Sequence, residues 1–153
     1  MAPERAPAVP VSADREWAER RDEAVAARTA DLARREAAET EQAAAALREF
    51  VAAARESGPA PVPLRARSYD GRSRYRTKLR GWYLRRDETM AVAEDGSFYV
   101  LTVPGSFVAR LRGATVAPAR PRLVLGEGGR DGESMPLRTV LERLLEEQKT
   151  RGQ

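Results

Sequence analysis

The chain has 153 residues, 42% of them hydrophobic and 33% charged, with a net charge of +4 and neither cysteine nor histidine. A chain of this length makes one domain, or one domain with an extension. The two missing residue types remove disulfides, thiol nucleophiles and thiolate metal sites, together with the commonest general base and the commonest metal ligand. Most hydrolase triads and most zinc sites go with them.

No run approaches the ~18 apolar residues of a membrane span. The first ten residues hold Pro3, Pro7, Pro10 and a charge pair, where a signal peptide would carry an apolar segment. The expectation is a soluble, cytoplasmic protein with no membrane contact. Charge is uneven along the chain: residues 12–57 carry a net of −3 and residues 58–153 a net of +7. Such an asymmetry points to a basic module that meets an anionic partner, or to two halves that neutralise each other.

Residues 1–11 read as a disordered tail, since three prolines prevent a helix and nothing there builds a core. Ser12 is a good N-cap, and Asp14 complements the helix dipole in the first turn. From there to Ser57 the chain has no glycine or proline and is dominated by alanine, glutamate and arginine, all strong helix formers. Gly58-Pro59 is a stop signal. One helix over 12–57 would be roughly 69 Å long at 1.5 Å per residue, with Thr29 or Thr40 as the places where it could break.

The large apolar residues of this helix are Trp17, Val25, Leu32, Leu47, Phe50 and Val51. Val25 and Leu32 are seven apart, but the next heptad position is Glu39, so a strict coiled-coil seam fails. Leu47, Phe50, Val51 and Ala54 keep the i, i+3, i+4, i+7 spacing of a buried face. Residues 44–55 should therefore pack on the globular part. Residues 12–43 would project or meet a protein partner or a second copy, with Trp17, Val25 and Leu32 as the candidate contacts; partial burial of Trp17 against its own helix is the plainer alternative.

Residues 58–68 hold three prolines within five residues and read as a semi-rigid linker. A small domain over 69–149 follows, then a tail at 150–153. Tyr69-Asp70-Gly71 is a turn signal. Strands are expected over 74–84 and 89–93, separated by the polar turn 85–88. Asp95-Gly96 marks a hairpin into 97–103, whose apolar residues on both alternating faces suggest a central strand. Residues 106–112 fit a helical turn or a strand. Short strands over 114–117 and 122–125 sit beside Pro118 and Pro121, which favour edge positions.

Gly126–Ser134 is a loop with four glycines. Ser134 could cap a helix with Pro136 in its first turn. The apolar stripe Leu137, Val140, Leu141, Leu144 and Leu145 would carry that helix to Lys149. That helix should cover one face of the sheet, and the end of the long helix (Leu47, Phe50, Val51) could cover the other. The fold class is α+β: a long N-terminal helix, a mostly antiparallel sheet of four to six strands, and a C-terminal amphipathic helix.

The chemistry concentrates near the first strand. Arg72, Arg74, Arg76, Lys78 and Arg80 recur at every second position, and a strand turns alternate side chains to one face. Between Arg65 and Arg86 lie nine Lys/Arg and one acid, Asp70. Tyr69, Tyr75, Trp82 and Tyr83 are interleaved, and Arg85 and Arg86 close the run. Cations that track a backbone beside aromatics that stack bases are how sheets bind single-stranded nucleic acid, and arginine suits phosphate. The plainer alternatives are charges that keep an edge strand from pairing and aromatics that belong to the core.

The loop Gly126–Ser134 could attract an anion at a helix start. It lacks the Lys-Ser/Thr ending of a phosphate loop, however, and Glu127, Asp131 and Glu133 would repel phosphate. Those acids match no calcium-loop spacing, which leaves a connecting loop. Asp87, Glu88, Asp95 and Asp131 sit at turns, where aspartate is a turn former. No catalytic constellation, metal site or cofactor motif is identified. The sequence therefore suggests a non-enzymatic binding or accessory protein whose basic strand contacts nucleic acid or a ribonucleoprotein. The alternative is an adaptor or assembly protein acting through residues 12–43.

Overall fold

A computed structural model describes Pro3, residues 11–126 and residues 134–151. The fold is α+β, and the chain divides into two compact units, residues 1–38 and 39–153. Helix α1 (Val11–Ser57) is unbroken. It begins one residue before Ser12, so that serine lies in the first turn and does not cap it; helix ends commonly differ by a residue or two from the best cap. Thr29 does not interrupt the helix, because its hydroxyl donates to the Val25 carbonyl one turn back, at 2.9 Å.

In the first unit every described residue of α1 is exposed or half-buried, and local pairs decorate the helix: Arg20 with Glu16, Arg34 with Asp31, and the Arg21 guanidinium over the Trp17 ring.

The second unit contains a five-stranded mixed sheet in the order β4-β3-β2-β1-β5. Its strands are β1 (Val62–Ser68), β2 (Arg74–Tyr83), β3 (Met90–Ala93), β4 (Phe98–Val100) and β5 (Thr102–Val103). Neighbours pair antiparallel except β1 with β5, which pair parallel. Two sequence expectations fail here. The proline-rich stretch is not a spacer: Val62–Ser68 is strand β1, flanked by β2 and β5. Pro61 lies just before the strand and Pro63 near its start, where a missing donor is tolerated, and Leu64, Ala66 and Ser68 alternate into the interior.

Residues 97–103, in turn, do not form one central strand. The run is split into β4 and β5, which occupy the two edges of the sheet. Leu101, between them, donates its N–H to Thr89 and accepts from the N–H of Arg67, both at 2.7 Å. One short apolar run thus joins both edges of the sheet. The alternation is apolar on both sides because the run is covered on both sides, not because it is flanked by two full strands.

Two apolar clusters result. Ala91, Ala93, Tyr99, Leu101 and Leu64 form one, on the face where Gly81 opposes Ala93 and Tyr83 opposes Ala91. On the other face Trp82, Val92 and Phe98 lie directly across from one another. They join Ala43, Leu47, Phe50, Val51 and Ala54 of α1 and Leu137, Val140 and Leu141 of helix α3 (Leu137–Arg151) in the second cluster. Both helices therefore share one cluster and do not cover opposite faces as expected. The first cluster is lined by the sheet itself, with Val116 packed against it, and that removes the need for a second helix.

Helix α2 (Phe107–Arg112) starts at the cap Ser106, whose side chain accepts from the Ala109 N–H. Residues 114–117 form no strand. Strand β6 (Val124–Leu125) pairs with β7 (Met135–Pro136) in a separate two-stranded sheet rather than at an edge of the main one. Pro136 thus ends a strand instead of opening the helix. The expectations for the glycine-rich loop fall on residues 127–133, outside the described residues.

Candidate nucleic-acid interface

Strand β2 builds the site because its alternation is strict. Arg74, Arg76, Lys78 and Arg80 are exposed, while Tyr75 is buried and Thr77 and Leu79 are half-buried. Arg72 is exposed at the turn that enters β2 and is not itself part of the strand. Its N–H is held by the Asp70 carboxylate at 3.0 Å.

The register adds what the sequence reading left out. Arg65 of β1 lies directly across from Arg76, and Arg67 directly across from Arg74. Directly opposite residues of an antiparallel pair share a face, with Cβ atoms ~5 Å apart. Six cations (Arg65, Arg67, Arg74, Arg76, Lys78, Arg80) therefore occupy one face of two strands. Of these, only Arg74 has an ion-pair partner among the described residues, Glu88 at 3.5 Å. Arg80 reaches the Pro61 carbonyl at a long 3.4 Å.

A bulge interrupts the pairing between Pro63 and Arg65. Pro63 opposes Arg80 and Arg65 opposes Arg76, so β2 has two more residues than β1 across this gap. An even insertion preserves the side-chain alternation, and the cations stay on one face. Thr77 fills the gap in the ladder: its hydroxyl donates to the Leu64 carbonyl at 2.6 Å and accepts from the Leu79 N–H at 3.2 Å.

The same face of the sheet is thus divided. One part, around Trp82, Val92 and Phe98, is apolar and covered by helices. The other part, on β1 and the first seven residues of β2, is cationic and exposed except for half-buried Arg67.

Three of the four interleaved aromatics are placed elsewhere. Trp82 is 4% exposed, packs edge-on against Phe50 at 5.6 Å, and donates its indole N–H to the Pro59 carbonyl at 2.7 Å. Tyr75 is 3% exposed, and its hydroxyl accepts from the Ser106 N–H at 3.0 Å. Tyr83 is half-buried, with its hydroxyl accepting from the Arg65 N–H at 2.9 Å. Each aromatic ring satisfies both its apolar area and its polar tip inside the fold, so none of the three is a platform. Arg85 and Arg86 are also outside the array. They lie in the turn after β2, beyond the covered Trp82, and Arg85 pairs with Asp87 at 3.4 Å.

The carboxylates act as turn formers. Asp70 accepts from the Ser68 hydroxyl and the Arg72 N–H, bonds that hold its carboxyl below the ordinary aspartate range. For Asp87, partial burial is the largest single influence and pushes upward. The hydroxyl and N–H of Thr89, with Arg85, outweigh it and bring the carboxyl below its ordinary value. Asp95 accepts from the Ser97 N–H. Glu88, at φ 60°, is a left-handed non-glycine residue beside the ion pair to Arg74. Among the described residues, no group of three or more acids is placed to hold a metal ion.

Arg65 and Arg67 were missed because the prolines drew their segment into a linker. The usable signal was the alternation Leu64-Arg65-Ala66-Arg67-Ser68, which has the same period as β2. Trp17, Val25 and Leu32 are all more than half exposed on the first unit's helix. Among the described residues, no helix is long and apolar enough to cross a membrane. Comparison with protein-family models, curated proteins and solved structures gave no match.

Proposed function

We propose that this is a non-catalytic nucleic-acid-binding protein, acting in the cytoplasm, whose β1–β2 face receives the phosphate backbone of its ligand, alone or within a ribonucleoprotein. The observation that carries this reading is the pairing of Arg65 with Arg76 and of Arg67 with Arg74. Like charges directly across an antiparallel pair destabilise a sheet, so the arrangement opposes folding and favours a polyanion. The guanidinium forks supply bidentate donors to phosphate oxygens.

The test is fluorescence anisotropy of labelled RNA and DNA with the wild type and with the variant Arg65→Glu/Arg76→Glu. The reading expects the wild type to bind and the variant to lose at least tenfold in affinity. Equal binding by both would overturn it.

A second reading is favoured by one observation. Val11, Trp17, Val25 and Leu32 are large apolar residues left exposed on the helix of residues 11–38. They suit a protein partner or self-association through that helix. Analytical ultracentrifugation decides the self-association form: a monomer at high concentration removes it.

A further inference from the structure

Tyr75 and Trp82 are buried, yet two aromatics stand exposed on segments tied to the start of β2. Phe107 is 74% exposed and opens α2, none of whose residues is buried; Val108 and Leu111 are also exposed, at 60% and 64%. Tyr69 is 72% exposed in the turn between β1 and β2.

Helix α2 is not loosely placed. It is fastened to the start of β2 through Tyr75 and Ser73, whose side chains alternate away from the cation row, and through the Arg76 carbonyl at the strand's edge. The Ser106 N–H donates to the Tyr75 hydroxyl, Arg110 Nη2 donates to the Ser73 hydroxyl at 3.2 Å, and the Ala114 N–H donates to the Arg76 carbonyl at 2.8 Å. Gly113 packs so closely there that a Cβ would stand 2.8 Å from the Arg76 carbonyl oxygen. The turn carrying Tyr69 is tied to the same Ser73, whose N–H is given to the Ser68 hydroxyl at 3.0 Å. Both aromatics thus belong to elements tied to the start of β2, where Arg74 and Arg76 begin the cation row.

Resting on the proposed function above, we infer that the ligand is single-stranded, with unpaired bases stacking on Phe107 and Tyr69 while Arg65, Arg74, Arg76 and Lys78 hold the phosphates. A duplex presents charge to an approaching surface and keeps its bases stacked inside. It would leave the apolar surface of Phe107, Val108 and Leu111 without a counterpart. An unpaired strand presents both phosphates and base faces, and every base has a face to stack, so the site is tolerant of sequence. Cations along a groove with an aromatic at its end is the composition such sites use.

The experiment is anisotropy with a labelled 12-nucleotide single strand and with the duplex of the same sequence, in RNA and DNA versions, for the wild type, Phe107→Ala, Tyr69→Ala and Phe107→Trp. Because both rings are mostly exposed, truncation should leave the fold intact, which a thermal melt verifies. The wild type should bind the single strand at least tenfold more tightly than the duplex. Phe107→Ala should lose about tenfold on the single strand, one stack being worth ~1–3 kcal/mol and 1.4 kcal/mol being a factor of ten. Phe107→Trp should retain affinity, and the salt dependence of all variants should match the wild type. A wild type that binds but prefers duplex, or a Phe107→Ala variant that binds normally, overturns this inference and leaves the proposed function standing. A wild type that binds no nucleic acid overturns both.

Discussion

Replacing Arg76 with glutamate should stabilise the fold while weakening ligand binding. Arg76 is exposed, has no ion-pair partner among the described residues, and faces Arg65 directly. With the two charges ~5–7 Å apart in a water-like dielectric, their repulsion is ~0.6–0.8 kcal/mol before screening. Physiological salt, with a Debye length of ~8 Å, reduces this by about half.

Reversal turns repulsion into attraction, and Arg74 and Lys78, two residues away on the same face, add smaller contributions. Side-chain freedom at the surface takes part of this back. The net gain is about 0.5–1 kcal/mol, or about 2–4 °C in Tm for a unit of this size. Differential scanning fluorimetry reads the Tm and anisotropy reads the affinity, which should fall about tenfold or more. A variant with a lower Tm would refute the claim that the arginine pairing opposes folding. Unchanged affinity would remove Arg76 from the interface.

Other consequences can be checked in the same preparations. Glu88→Gln removes the one carboxylate paired with the array among the described residues, so affinity should rise about twofold by anisotropy, a gain in keeping with the small worth of a surface pair. Gly81→Ala should cost about 3 kcal/mol or more in urea unfolding, because its Cβ would stand 2.7 Å from Ala93 Cα and closer still to the Val92 carbonyl oxygen. Leu47→Ala empties a fully buried position in the cluster shared by both helices and should cost ~2–5 kcal/mol. The lowered carboxyls of Asp70 and Asp87 bind fewer protons folded than unfolded at acid pH. The stability they contribute is fully present above the ordinary aspartate range, ~4, and is lost as pH falls through their folded values. Urea midpoints should therefore drop below about pH 4 and respond less in an Asp87→Asn variant.

What the sequence disclosed follows from which signals were periodic. The helix expected over 12–57 was marked by its composition, and the buried stripe Leu47-Phe50-Val51-Ala54, the strand over 74–83 and the final helix by regular apolar or charge spacing, and they form. Strand β1 stayed hidden because local proline chemistry competes with a five-residue alternation that is visible only once β2 is there to pair with it. The splitting of residues 98–103 between two sheet edges depends on how far the sheet curls, which no local pattern encodes. The cationic residues of β2 were legible because charge has to reach solvent. Their partners Arg65 and Arg67 depend on register, a long-range property. The exposed Trp17 and the buried Trp82 illustrate the same limit: an aromatic residue states that it needs a surface to cover, not which one.

The most direct test of the cationic face is the salt dependence of binding. Each phosphate neutralised contributes a slope of about −0.7 in log affinity against log salt for a single strand. With at least four cations engaged, the wild type should give a slope of about −3 or steeper, and Arg65→Glu/Arg76→Glu should flatten it by more than one unit. A wild-type slope near zero, or one the double reversal leaves unchanged, would contradict the account.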